Sequence, residues 1–129
     1  MANILIVDNY RTIGLLYREV FEEEGHRVFV ALSGKEAIDL ALHERIDVAV
    51  VDANLTDTDA DELLEELKRL QPRSQGTVCA VSEFDPAIHS DLCDESFFKS
   101  SDFTILQGKI RRLVQGTGGD RSAREKGTG

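Results

Sequence analysis

The chain has little of what several protein classes require. Its 129 residues include only two cysteines, Cys79 inside an apolar run and Cys93 in a polar stretch. That pair makes neither a disulfide framework nor a CxxC metal or redox motif, so reduced thiols are expected. Positive charge is scarce as well: 15 Lys and Arg stand against 24 Asp and Glu, a formal charge of -9, with no basic stripe. A surface with that field repels phosphate backbones, and direct nucleic-acid binding is not expected. No apolar run approaches the ~20 residues of a membrane span. Met1-Ala2-Asn3 leads straight into Ile4 without a basic region or cleavage site, which reads as a cytoplasmic protein with no membrane partner. Internal repeats are absent, and only the end of the chain is biased, with five glycines among the last fifteen residues. Residues 115–129 are therefore expected to form a flexible tail or linker after a single domain spanning 1–114.

What is present is a regular alternation. Ile4-Leu5-Ile6-Val7, Val48-Ala49-Val50-Val51 and Val78-Cys79-Ala80-Val81 are short continuous apolar runs, as strands covered on both faces require. Arg27-Val28-Phe29-Val30 and Ser96-Phe97-Phe98 are weaker and flanked by polar residues, as edge strands are. Helical spacing recurs between them. Ile13, Leu16, Tyr17, Val20 and Phe21 precede a stop at Gly25; the capping box Ser33 to Glu36 precedes Ala37, Ile38, Ala41 and Leu42. Leu63, Leu64, Leu67 and Leu70 end at Pro72, and Phe103, Leu106, Ile110 and Leu113 form a last stripe. Such alternation predicts an α/β fold with an open parallel sheet and helices on both faces.

In open α/β sheets, ligands bind at the carboxyl ends of the strands. The polar residues there are Asp8 and Asn9 after the first run, Asp52 after the third, Ser82 after the fourth and Lys99 after the fifth. Each alone is an ordinary cap, turn former or solvated charge. Together they supply what phosphoryl transfer to a carboxylate requires: a nucleophile, oxygen donors for a cation, a hydroxyl and a counter-charge.

On these residues the chain resembles the receiver domain of bacterial two-component response regulators, over residues 3 to about 114. The resemblance rests on Ile4 to Asn9, Val48 to Asn54, Ser82 and Lys99. It implies a doubly wound, flavodoxin-like sheet of five parallel strands in the order 2-1-3-4-5, an order for which this family is a standing example. It also implies that Asp52 is the phosphoacceptor and that Asp8, Asn9, Asp52 and the Asn54 backbone carbonyl hold Mg²⁺. Ser82 and Lys99 would bind the phosphoryl group. The implied partners are a histidine kinase or phosphotransfer protein and a downstream protein target or an output domain outside this chain. The implied role is signalling, not enzymatic turnover.

The pattern departs from the family at definite places. Asn9 stands where a second acid normally binds metal, so weaker Mg²⁺ binding is expected. Glu83, large and anionic, follows Ser82 where a small residue is usual, and could repel phosphate or replace the missing carboxylate. Thr56 replaces a common Pro, and Ala60 a common Gly. The stretch from Ser82 to Lys99 is about one helical turn short and carries Asp85-Pro86, which predicts a shortened fourth helix. Ser96 occupies the aromatic switch position, and Ser100 replaces the proline after the lysine, so a trans Lys99-Ser100 bond is expected. These departures define an alternative, a degenerate receiver that binds partners without phosphate.

Other readings fare worse. Asp52-x-Asn54-x-Thr56 opens like a calcium loop, but Asp57 and Leu63 occupy its Gly and Glu positions. Asp57, Asp59, Asp61 and Glu62 suit the positive end of the helix they precede. His26, His43 and His89 lack ligand spacing, and Asp8-Asn9-Tyr10-Arg11 has no glycine for a nucleotide loop. Tyr10 also occupies the place of the second acid that an aspartyl-phosphate hydrolase would need.

Overall fold

The computed structural model describes residues 1–81, 93–99 and 101–116. In chain order these form β1 (Asn3–Val7), α1 (Arg11–Glu23), β2 (Arg27–Ala31), α2 (Gly34–His43), β3 (Val48–Asp52), α3 (Ala60–Leu70), β4 (Gly76–Val81), β5 (Glu95–Phe98) and α4 (Phe103–Gly116). The sheet has five strands in the order β2-β1-β3-β4-β5, and every neighbouring pair is parallel. This is the expected doubly wound, flavodoxin-like α/β fold.

Continuous apolar runs arise because strand side chains alternate between two faces and both faces are covered. Ile4, Ile6, Val48, Val50, Val78 and Ala80 pack on one side with Tyr17 and Phe21 of α1 and Leu106, Ile110 and Leu113 of α4. Leu5, Val7, Ala49, Val51, Cys79 and Val81 pack on the other with Ala37 and Ala41 of α2 and Leu63, Leu64 and Leu67 of α3. Helix ends follow local chemistry. Gly25 takes φ 92° after α1, a backbone that glycine adopts without strain. Ser33 Oγ accepts the Glu36 amide at 3.1 Å, and the Glu36 carboxylate accepts the Leu32 amide at 3.0 Å, one residue before the cap.

Several expectations need adjustment or fall elsewhere. Helix α4 continues through Gly116, past the expected domain end at residue 114. Residues 117–129 and the stretch 82–92, where the shortened helix was expected, lie outside the described residues, as does Ser100. The expectation of reduced thiols is corrected: Cys79 and Cys93 are joined as a disulfide, with their Cα atoms 6.1 Å apart. The register of β5 against β4 sets Cys79 opposite Ser96, three residues beyond Cys93; Cys93 precedes β5 and packs against the face of the sheet that holds Cys79, a proximity that spacing along the chain does not reveal.

Candidate functional site

Asp8 follows β1, Asp52 ends β3 and Lys99 follows β5, so the sheet delivers all three to one edge. Backbone bonds prolong the strand ladders there. The Asp8 amide donates to the Ala31 carbonyl at 3.0 Å, the Ala53 amide to Ala80 at 2.9 Å and the Lys99 amide to Val81 at 2.9 Å. Asp8 and Asp52 are each only 2% exposed. Lys99 Nζ lies 2.8 Å from Asp52 Oδ1. The same oxygen accepts the Asn54 amide at 2.9 Å, and Asp8 Oδ1 accepts the Tyr10 amide at 2.8 Å.

Two buried carboxylates against one ammonium leave a surplus of negative charge. Burial, as the leading cause, raises the Asp8 carboxyl above its ordinary range; the Asp52 charge adds to this, and the Tyr10 amide and Lys99 oppose it. Tyr17, buried on α1, registers the same field. Burial first, then Asp8 and Asp52, push its phenol up to about 12, and its ring meets Phe103 edge-on at 5.2 Å. A pocket that carries excess negative charge on buried oxygens suits a hard divalent cation. Among the described residues no group of three His, Cys, Asp or Glu side chains converges. Asp8 and Asp52 are the two buried carboxylates that could hold such an ion, and Mg²⁺, which keeps much of its water, needs few protein donors.

The structure brings together Asp8, Asp52 and Lys99 of the residues picked out from sequence. Asn54 joins them through its backbone amide, with an exposed side chain. Asn9 behaves differently. Its Nδ2 donates to the Leu32 carbonyl at 2.8 Å, and its Oδ1 accepts the Thr56 amide at 3.0 Å. Ser82 and Glu83 lie outside the described residues. The acidic run divides in two. Asp59 caps α3 by accepting the Asp61 amide at 2.8 Å, as expected of that run. Asp57 serves α2 instead, its two oxygens accepting the Gly34 and Lys35 amides at 2.9 and 3.1 Å. Those two amides hold its carboxyl below the usual range. Sequence reasoning missed the α2 role of Asp57 because its partners lie more than twenty positions away.

A model of the response regulator receiver domain matches residues 4–90, and the chain belongs to that family of two-component signalling modules. The matched stretch ends before Lys99. Sporulation initiation phosphotransferase F of Bacillus subtilis (strain 168) is 38% identical over 65 residues, which cover 50% of this chain and 52% of that protein. Response regulator SaeR of Staphylococcus aureus (strain USA300) is 38% identical over 69 residues, 54% of this chain and 30% of that protein. The alignments thus span about half or less of these relatives. Among solved structures, a response regulator receiver domain protein from Clostridium thermocellum superposes with a TM-score of 0.82 at 20% identity, covering 91% of this chain and 97% of that one. The response regulator TrrA from Thermotoga maritima, in complex with Mg²⁺ and BeF, gives 0.77 at 24% identity, covering 88% and 99%. At these identities the likeness is one of fold.

Proposed function

We propose that Asp52 is the phosphoacceptor of this receiver, taking a phosphoryl group from a histidine kinase or phosphotransfer protein, and that the modification changes binding to a downstream protein. That target is either a separate protein or an output domain outside this chain. The observation that carries the reading is the ion pair of Lys99 Nζ with Asp52 Oδ1 at 2.8 Å, on a carboxylate otherwise buried at the end of the central strand. A carboxylate oxygen of Asp52 forms the new P–O bond as the donor's P–N bond breaks; the electron pair passes to the imidazole, which takes a proton. Lys99 is placed to offset charge on the phosphoryl oxygens as the group arrives. Mg²⁺, held by Asp8 and Asp52 with the Asn54 carbonyl, would neutralise charge at the same point when bound. Ser82 would bind a phosphoryl oxygen, with Glu83 modifying the pocket beside it. The module works as a switch with no turnover of a small substrate. Among the described residues no helix is long and apolar enough to cross a membrane.

Incubation with acetyl phosphate and Mg²⁺ followed by intact-mass measurement tests this. One phosphoryl adduct is expected on the wild-type chain and none on Asp52→Asn; an equal adduct on the variant overturns the assignment. A second reading, a receiver that binds its partner without phosphate, draws support from Asn9, whose amide is engaged with Leu32 and Thr56. Absence of any adduct on the wild-type chain would select it.

A further inference from the structure

We propose that Asn9 is a positioning residue, not a ligand of the cation, and that its amide ties the loops after β1, β2 and β3 into one unit around the pocket. The inference deepens the phosphoacceptor reading, on which only its kinetic arm rests. The amide is a bifunctional group used at both ends. Its oxygen takes the Thr56 amide of the loop after β3 at 3.0 Å, and its nitrogen donates to the Leu32 carbonyl of the loop after β2 at 2.8 Å. Thr56 offers a donor and Leu32 an acceptor, so the orientation of the amide is determined by its partners.

The tie continues from each end. Beside Thr56, Asp57 takes the first two amides of α2, and the Leu32 amide is held by Glu36 in the first turn of the same helix. The contact is also close-packed: a Cβ at Gly34 would clash with Thr58 Cγ2, so α2 begins directly against the loop after β3. An aspartate at position 9 has no hydrogen to give Leu32 and would set an anionic oxygen against that carbonyl. The neutral amide therefore does what an acid cannot. It holds the loop after β2 through Leu32 and the loop that leads away from Asp52 through Thr56 at once, while Asp8 and Asp52 remain the carboxylates beside Lys99.

Hydrogen exchange and calorimetry on the full chain separate positioning from ligation. In Asn9→Ala, exchange of the Thr56 amide is expected to speed about tenfold or more, while the Mg²⁺ Kd changes less than about twofold. Asn9→Asp keeps an oxygen for Thr56 and should restore the protection of that amide. With acetyl phosphate, Asn9→Ala should lower the maximal labelling rate and leave the Mg²⁺ concentration for half-maximal rate unchanged. A loss of Mg²⁺ affinity of about tenfold or more, or unaltered Thr56 exchange, overturns the proposal. Asn9→Leu, which keeps the side-chain volume, gives the same comparison if Asn9→Ala does not fold. A wild-type chain that takes no adduct defeats the phosphoacceptor reading alone, because exchange still decides the role of Asn9.

Discussion

Lys99 Nζ reaches Asp52 Oδ1 at 2.8 Å from a strand that is not a neighbour of the one bearing the aspartate, since β4 lies between β3 and β5. The ammonium thus crosses over the end of β4 to meet a carboxylate only 2% exposed, and it counters the charge of Asp8 as well.

Lys99→Ala should accordingly destabilise the chain at neutral pH by about 1 to 3 kcal/mol, below the full cost of orphaning a buried charge because the lysine side chain keeps contact with water. Adding Asp52→Asn should recover part of the loss by removing the orphaned charge. Urea denaturation of the wild type, the two single variants and the double variant measures this coupling; strictly additive losses would show that the pair does not stabilise the fold.

His26 should make stability sensitive to mild acid. Its Nδ1 accepts the Ala2 amide at 3.0 Å, a bond that requires the neutral ring. Burial leads in lowering its pKa, the N-terminus and Arg111 add to this, and Glu24 opposes it. The folded pKa lies below the unfolded value of about 6.5, so the unfolded chain binds the proton more readily. The stabilisation is complete above that value and is lost as pH falls from it through the folded pKa. The melting temperature should drop between about pH 7.5 and pH 5 more steeply for the wild type than for His26→Asn; parallel profiles would refute the assignment.

Legibility in the sequence followed the range of the interactions. Strands, helices and sheet order were readable because burial on two faces leaves continuous apolar runs, and Asp8, Asp52 and Lys99 were readable because strand ends converge whatever their loops do. The partners of Asn9 were not. A residue type at a strand end implies a polar task without saying which of several neighbouring donors and acceptors it meets, and Leu32 and Thr56 come within reach only once three loops are placed. Asp57 was read with the helix it precedes, although its carboxylate serves α2. Cys93, in a polar stretch, reads as a reduced thiol, because nothing in its sequence neighbourhood shows that the fold returns it to Cys79.

Gln71, which follows α3, was invisible as a structural element for the same reason. Its Nε2 donates to the Ala41 and Glu44 carbonyls at 2.7 and 2.8 Å, and its Oε1 accepts the Ile46 amide at 3.1 Å. One side chain thereby satisfies three backbone groups in the last turn of α2 and the segment that leads from it to β3. Gln71→Ala should cost about 2 to 3 kcal/mol in urea denaturation, since it strips partners from partly buried groups. Gln71→Glu should not rescue it, because a carboxylate would face two carbonyls; wild-type stability in Gln71→Glu would refute this account.

The Cys79–Cys93 bond closes a loop with a sequence separation of 14, whose intervening residues include Ser82 and Glu83. Cross-linking a loop of ~15 residues restricts the unfolded chain by about 3 kcal/mol, so reduction should lower stability by that order. Cys93→Ser is the better probe, because Cys79 is packed in the core beneath α2 and α3 and its replacement would disturb packing as well. The variant should match the reduced wild type and show no further response to reductant. Alkylation followed by intact-mass measurement supplies the independent check: both sulfurs should resist the reagent in unreduced, denatured protein and react after reduction. Ready modification of both before reduction would show two free thiols side by side, and the expectation drawn from composition would then stand against the bond.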